Sequence, residues 1–318
     1  MPINFAIPKG IGLVLFLCCL TAQVRAQEHE SPERQLFAAV ETENLVTVEY
    51  LLQQGADTEA RTTNGVTVLM DAAETGNVAL VSLLLQHGAK IDATDDQGNT
   101  ALIHAAQVGW VETVRLLARF CDRKQKNRAL FAAVEYGAVS ILEMDSPVQS
   151  LTQHEPVDLK QSWATTVESL LDSGADIDAR NQDGSTPLMW AAQFAQTEVL
   201  KILIRRGARI DVRDKSGNTP LIVAACECAM ATMNSAYNVL KILLDQGVYV
   251  NARSKDGSTA LMSAASGFGG PAIIKLLLDR GADPTLKDHK GNTAISLAQQ
   301  KQRSDKVRVI KEASRPSH

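Results

Sequence analysis

The fold is decided by residues 181–213. They read Asn181-Gln182-Asp183-Gly184-Ser185-Thr186-Pro187-Leu188-Met189-Trp190-Ala191-Ala192, then Gln193-Phe194-Ala195-Gln196-Thr197-Glu198-Val199-Leu200-Lys201-Ile202-Leu203-Ile204-Arg205-Arg206-Gly207-Ala208-Arg209-Ile210-Asp211-Val212-Arg213. Asp183-Gly184 suits a tight turn, Thr186 can cap a helix, and Pro187 fits a first helical position, where a missing N–H costs nothing. Leu188, Ala191 and Ala192 fall at i, i+3, i+4, and the small alanines let a second helix approach closely. That second helix is built on Val199, Leu200, Ile202, Leu203 and Ile204, and Gly207 is placed to stop it as a left-handed residue. One unit is therefore turn, helix, turn, helix.

Such a unit cannot bury its apolar faces alone, and it recurs. The turn glycines Gly65 and Gly98 lie 33 residues apart, as do Gly184 and Gly217; Gly257 follows after 40 and Gly291 after 34. Each has a threonine two residues on: Thr67, Thr100, Thr186, Thr219, Thr259 and Thr293. The closing glycines Gly55, Gly88, Gly174, Gly207, Gly247 and Gly281 keep the same beat. The pattern resembles the ankyrin repeat. Its two signatures stand here as Thr219-Pro220-Leu221-Ile222-Val223-Ala224 and Leu277-Leu278-Asp279-Arg280-Gly281-Ala282-Asp283. The resemblance covers roughly residues 35 to 310, and implies an all-α solenoid of about eight helix-turn-helix units joined by β-hairpin-like turns. One departure is systematic. The family's histidine is replaced by Met70, Ile103, Met189, Ile222 and Met262, which removes a hydrogen bond that ties the loop.

The chain has 318 residues, 45% hydrophobic but only 4% aromatic, so its core is made of small aliphatic side chains. That suits a stack in which each repeat packs only on its neighbours. The N-terminus differs. Lys9 precedes the apolar run from Ile11 to Leu20, and Val24-Arg25-Ala26 offers small residues at a cleavage position, so residues 1–26 read as a secretory signal with Gln27 as the mature start. The run is too short for a stable membrane span, which needs about 20 apolar residues. Export to a periplasm or to the extracellular space is the expected localisation. Loss of Lys9 and Arg25 leaves 30 basic against 36 acidic residues, a balance that gives no general affinity for nucleic acid. Cys121, Cys226 and Cys228 remain, an odd number that makes no disulfide framework, and Cys226 and Cys228 read as buried filler.

Residues 27–34 are polar and expected to be disordered, and residues 35–312 form the repeat domain with 313–318 as a tail. The first repeat lacks its turn, as a terminal cap should. The third ends irregularly at Arg119-Phe120-Cys121-Asp122, where a shortened hairpin is expected. The fourth opens at Leu130-Phe131-Ala132-Ala133-Val134, but its second helix arrives late, so residues about 139–162 are expected to loop out and to be mobile. A short insertion falls at about 230–237. Both interrupt a repeat between its two helices. The basic C-terminal helix, with Lys301, Arg303, Lys306, Arg308 and Lys311, reads as a polar cap.

No metal, nucleotide or nucleophile motif is present, and the chain is not expected to be an enzyme or to need a cofactor. Gly267-Phe268-Gly269-Gly270-Pro271 lies between helices and not after a strand, so it is a loop. The resemblance implies that a partner protein binds along the hairpin tips and the exposed stripe of the first helices. That stripe runs through Asp71, Glu74 and Thr75; His104, Gln107 and Val108; Trp190, Gln193 and Phe194; and Val223, Cys226 and Glu227. The tips add Asn64, Gln97, Asn99, Asp183, Ser185, Lys215, Asn218, Lys255 and Lys290. Trp190 and Phe194, one helical turn apart, read either as an interface anchor or, for Trp190, as core beneath the next repeat. The expected function is a monomeric, non-enzymatic binding module acting after export. A second reading gives the contact to the repeat-four insertion of a structural or envelope-associated protein. A third makes the chain an accessory that protects or positions an exported enzyme.

Overall fold

The computed structural model describes residues 31–139, 159–226, 233–267 and 269–313. Among these residues there are sixteen α-helices and no strand; one isolated antiparallel bridge joins Arg61 and Thr67. The chain divides into two compact units, with the division falling between Ala101 and Leu102.

The first unit carries α1 (Pro32–Glu41), α2 (Leu45–Gln53), α3 (Val68–Thr75) and α4 (Val78–Gln86). First helix packs on first helix, α1 on α3, and second on second, α2 on α4. Leu36, Val40, Leu69, Leu80 and Leu84 form its dry interior. The segment expected to be disordered ends differently: Pro32, Glu33 and Arg34 are already helical. The Ser31 hydroxyl accepts from the Arg34 N–H at 3.3 Å and Pro32 stands in the first turn, a complete start signal.

The second unit carries α5 (Ala101–Val108), α6 (Val111–Ala118), α7 (Arg123–Val139), α8 (Leu159–Asp172), α9 (Pro187–Gln193), α10 (Thr197–Arg205), α11 (Pro220–Cys226), α12 (Met233–Asp245), α13 (Ala260–Ser266), α14 (Pro271–Asp279), α15 (Ala294–Gln300) and α16 (Ser304–Ala313). The first helices α7, α9, α11, α13 and α15 stack in one layer, and the second helices α6, α8, α10, α12, α14 and α16 in another. Fully buried leucines such as Leu170, Leu200, Leu203, Leu240 and Leu277 lie on the second layer, and alanines such as Ala191, Ala192, Ala224 and Ala264 on the first. Burying each such leucine contributes roughly 2 kcal/mol.

The threonine beat is a capping beat. Thr67, Thr186, Thr219 and Thr259 each accept a hydrogen bond at 3.4 Å from the N–H three residues on, and Thr293 does so at 3.3 Å. Thr100 differs: its hydroxyl is buried with no partner among the described residues. The residues replacing the family's histidine are packed instead, with Met70, Met189 and Met262 each 1% exposed. At the other end Gly207 has φ 89°, its N–H donates to Ile204 and that of Ala208 to Leu203. This double closure needs the left-handed conformation that glycine adopts without strain.

Two features of the repeats were not foreseen. The third repeat has no hairpin. Asp122 and Gln125 instead cap each other's backbone, Gln125 N–H to Asp122 Oδ1 at 2.7 Å and Asp122 N–H to Gln125 Oε1 at 2.9 Å. This reciprocal cap starts α7 at Arg123, seven residues before Leu130, and makes it 17 residues long. The hairpins elsewhere are stitched by arginines. Arg180 Nη1 donates to the Gly184 carbonyl at 2.6 Å and to that of Arg213, one repeat on, at 2.8 Å. Arg213 does the same to Gly217 and Arg253, and Arg253 reaches Lys287. Arg61 makes the equivalent pair to Gly65 and Thr94 within the first unit.

The insertions are narrower than expected. Val139 ends α7 and residues 159–162 already belong to α8, so helix enters both ends of the 139–162 segment; residues 140–158 lie outside the described residues. Likewise α12 begins at Met233, inside the 230–237 insertion, and residues 227–232 lie outside. The tail expected from 313 begins after Ala313, the last residue of α16. The proposed signal, residues 1–26, lies outside the described residues too.

Candidate functional site

The side chains of the stripe and of the tips fall partly in each unit. In the first unit Asn64, Glu74 and Gln97 are exposed. Asp71 and Thr75 are half-buried, and the Thr75 hydroxyl donates to Ala72 at 2.9 Å and accepts from the Asn77 N–H at 3.3 Å. Asn99 is committed to its own turn, its amide donating to Asp95 Oδ2 and to Gln97 Oε1, each at 3.3 Å.

In the second unit Asp183, Lys215, Lys255 and Lys290 are exposed at the tips and Ser185 is half-buried. The tips pair along the stack: Lys215 N–H donates to the Asp183 carbonyl and Lys255 N–H to that of Ser216, both at 2.8 Å, and His289 N–H to that of Asp256 at 2.9 Å. Asn218, like Asn99, is turned inward, donating to Asp214 Oδ2 at 2.8 Å. These pairs are turn chemistry: a short polar side chain closes its own loop. The Asp256 and Asp288 carboxyls are held below the usual range by such bonds, chiefly from Ser254 and Asn292 respectively.

His104 is corrected from stripe to core. It is only 6% exposed, in a helix whose residues 101–106 are all buried. Gln107 is half-buried, and its carbonyl accepts from Trp163 Nε1 at 3.1 Å, while Val108 is exposed. Glu227 lies outside the described residues. Cys226, expected as buried filler, is exposed at the end of α11. Cys121 is buried, and loss of hydration lifts its thiol to about 11.

Trp190 is neither sealed core nor fully exposed. It is half-buried on α9 and makes two edge-to-face contacts, with Phe131 of α7 and Phe194, each with ring centroids 5.6 Å apart and interplanar angles of 75° and 69°. Phe131 and Phe194 are themselves half-buried, and Gln193 beside them is exposed. Edge-to-face pairs suit the ring quadrupoles, so the three rings hold one another in place while part of each still meets water. The buried Gln196, just before α10, reaches back to α7, its Nε2 donating to the Val134 carbonyl. Phe131 was legible but unread: Leu130-Phe131-Ala132-Ala133 matches Met189-Trp190-Ala191-Ala192, which places Phe131 where Trp190 stands one repeat later. The same alignment sets Glu135 at the position of Phe194.

Nothing in this arrangement places a nucleophile beside a base. Among the described residues no group of three or more His, Cys, Asp or Glu is placed to hold a metal ion, and no helix is long and apolar enough to cross a membrane. Stacked helix pairs with capped starts and glycine stops, carrying a half-buried aromatic cluster on the layer of first helices, define an all-α repeat protein. The profile described as ankyrin repeats (3 copies) matches residues 4–95, 90–144, 160–232 and 228–316, and the chain belongs to that family. Ankyrin repeats are generally protein–protein interaction modules and typically non-enzymatic. No curated protein matches the sequence.

Proposed function

We propose that this protein is a monomeric, non-enzymatic binding module that acts after export and takes a partner protein on the layer of first helices and the hairpin tips of residues 102–313. The supporting observation is the cluster of Phe131, Trp190 and Phe194, three half-buried rings in mutual contact at the layer of first helices. Large aromatics held rigid in a partly open site lose little entropy on binding and dominate interface energetics. Export rests on the apolar run from Ile11 to Leu20 and the small residues before Gln27.

Site-specific photocrosslinking tests the reading in the native compartment. A photoreactive residue at Gln193, on the proposed face, is compared with one at Lys201, exposed on the second-helix layer. A single crosslinked species from Gln193 and none from Lys201 is expected. The reverse pattern, or crosslinks that appear only after residues 140–158 are probed, would move the contact to the other face or to the insertion.

A further inference from the structure

The layer of first helices in residues 102–313 is nearly free of charge. No Asp, Glu, Lys or Arg occurs in α5, α9, α11, α13 or α15, and beyond the basic start of α7, at Arg123, Lys124, Lys126 and Arg128, the one ionisable carboxylate or ammonium is Glu135. Glu135 stands one helical turn after Phe131, as Phe194 stands one turn after Trp190. Phe131 touches Trp190, and the repeat alignment gives Glu135 on α7 the position that Phe194 holds at the end of α9. Glu135 is half-buried, and no side-chain hydrogen bond or ion pair of its carboxylate is found among the described residues. An acid that loses water and gains no partner destabilises the fold it sits in.

Resting on the proposed use of this face, we infer that Phe131, Trp190, Phe194 and Glu135 form a receptor for a side-chain cation, a lysine or arginine carried by the partner protein. Ring faces present negative potential and attract an ammonium or guanidinium within about 6 Å. A carboxylate beside them adds a charge-assisted hydrogen bond. A neutral apolar side chain would desolvate Glu135 further without compensation, so the pair of features selects against it. Burial lifts the Glu135 carboxyl above its ordinary range, and a cation beside it would lower it again. Residues 140–158, the insertion that follows α7, contain no lysine or arginine and carry the acids Glu143, Asp145, Glu155 and Asp158, so this segment has no cation side chain of that kind to offer.

The test is selection of random-sequence peptides, displayed on phage, against the full chain, followed by affinity measurement of the winners as synthetic peptides. Winners should share one fixed lysine or arginine, bind Glu135→Gln about tenfold more weakly, and lose at least as much when that residue becomes norleucine. Glu135→Gln should keep or raise the melting temperature, so weaker binding would not reflect a damaged fold. Winners that depend on Trp190 yet lack a fixed cation and bind Glu135→Gln unchanged would overturn this inference and leave the binding face standing. Winners indifferent to Trp190→Ala, or no winners at all, would count against the face and the inference together. Winners recovered only after residues 140–158 are replaced by a Gly-Ser linker would show that the chain fills its own site, which also overturns it.

Discussion

At the residue scale, loss of hydration acts on Cys121 and Lys306 with opposite outcomes. Cys121 is buried and its thiol rises from 9.0 to about 11, so it stays protonated and unreactive at neutral pH. The stability this carries is complete below about pH 9 and is lost as pH climbs toward 11, where the unfolded thiol ionises first. Alkylation at pH 8 followed by peptide mass mapping should modify the exposed Cys226 in the native protein and Cys121 only in denaturant. Equal rates at both would contradict the burial. Lys306 is 2% exposed, and its ammonium donates to the Ala264 carbonyl at 2.8 Å and to that of Gly267 at 2.7 Å, closing the C-terminus of α13. It is therefore not part of a solvated basic face. Lys306→Met would orphan both carbonyls and should lower the unfolding free energy by about 2 kcal/mol, whereas Lys301→Met, at an exposed site, should leave the urea midpoint unchanged. Burial also lowers the Lys306 ammonium, so the desolvation cost is relieved as pH rises through its folded value toward 10.5.

At the element scale, most repeats are a pair of short helices that would not persist alone, the first started by a threonine, the second stopped by a glycine, and both held by their neighbours. Leu203 is fully buried in α10, between α8 and α12. Leu203→Ala should cost about 2 to 5 kcal/mol, read from chemical denaturation. Hydrogen exchange should then speed up in α8 and α12 as well as α10, because each interface belongs to two repeats. Faster exchange confined to α10 would argue against shared interfaces. Caps and stops were plain in the sequence because each uses one residue type at a fixed offset. The reciprocal cap of Asp122 and Gln125 was not, since it replaces a hairpin that the repeat period leads one to expect. The arginine stitch was missed for another reason. Arg180, Arg213 and Arg253 occupy one register, but their partners are backbone carbonyls of the following repeat, which no side-chain pattern announces.

At the scale of the whole molecule, repetition made the fold legible and function less so. A signal that recurs in six turns identifies the architecture, whereas a binding face is defined by departures from the repeat, each of which occurs once. Trp190 and Phe194 stood out because they are large in a chain poor in aromatics. Glu135 did not, because an acid on a helix looks ordinary until the first helices stacked with it are seen to carry no charge. His104 was misplaced for a related reason: helical spacing gives a residue's side of the helix but not how deeply that helix is set. On the proposed function, the aromatic cluster on the first-helix layer makes the main contact with a protein partner. This is tested most directly by the affinity of the partner crosslinked through Gln193 for the wild-type chain and for Trp190→Ala, with both chains shown to be folded by their melting curves. A loss of about 30-fold or more, the effect of removing a hot-spot residue worth about 2 kcal/mol, is the predicted result, and an affinity unchanged within about twofold would contradict it.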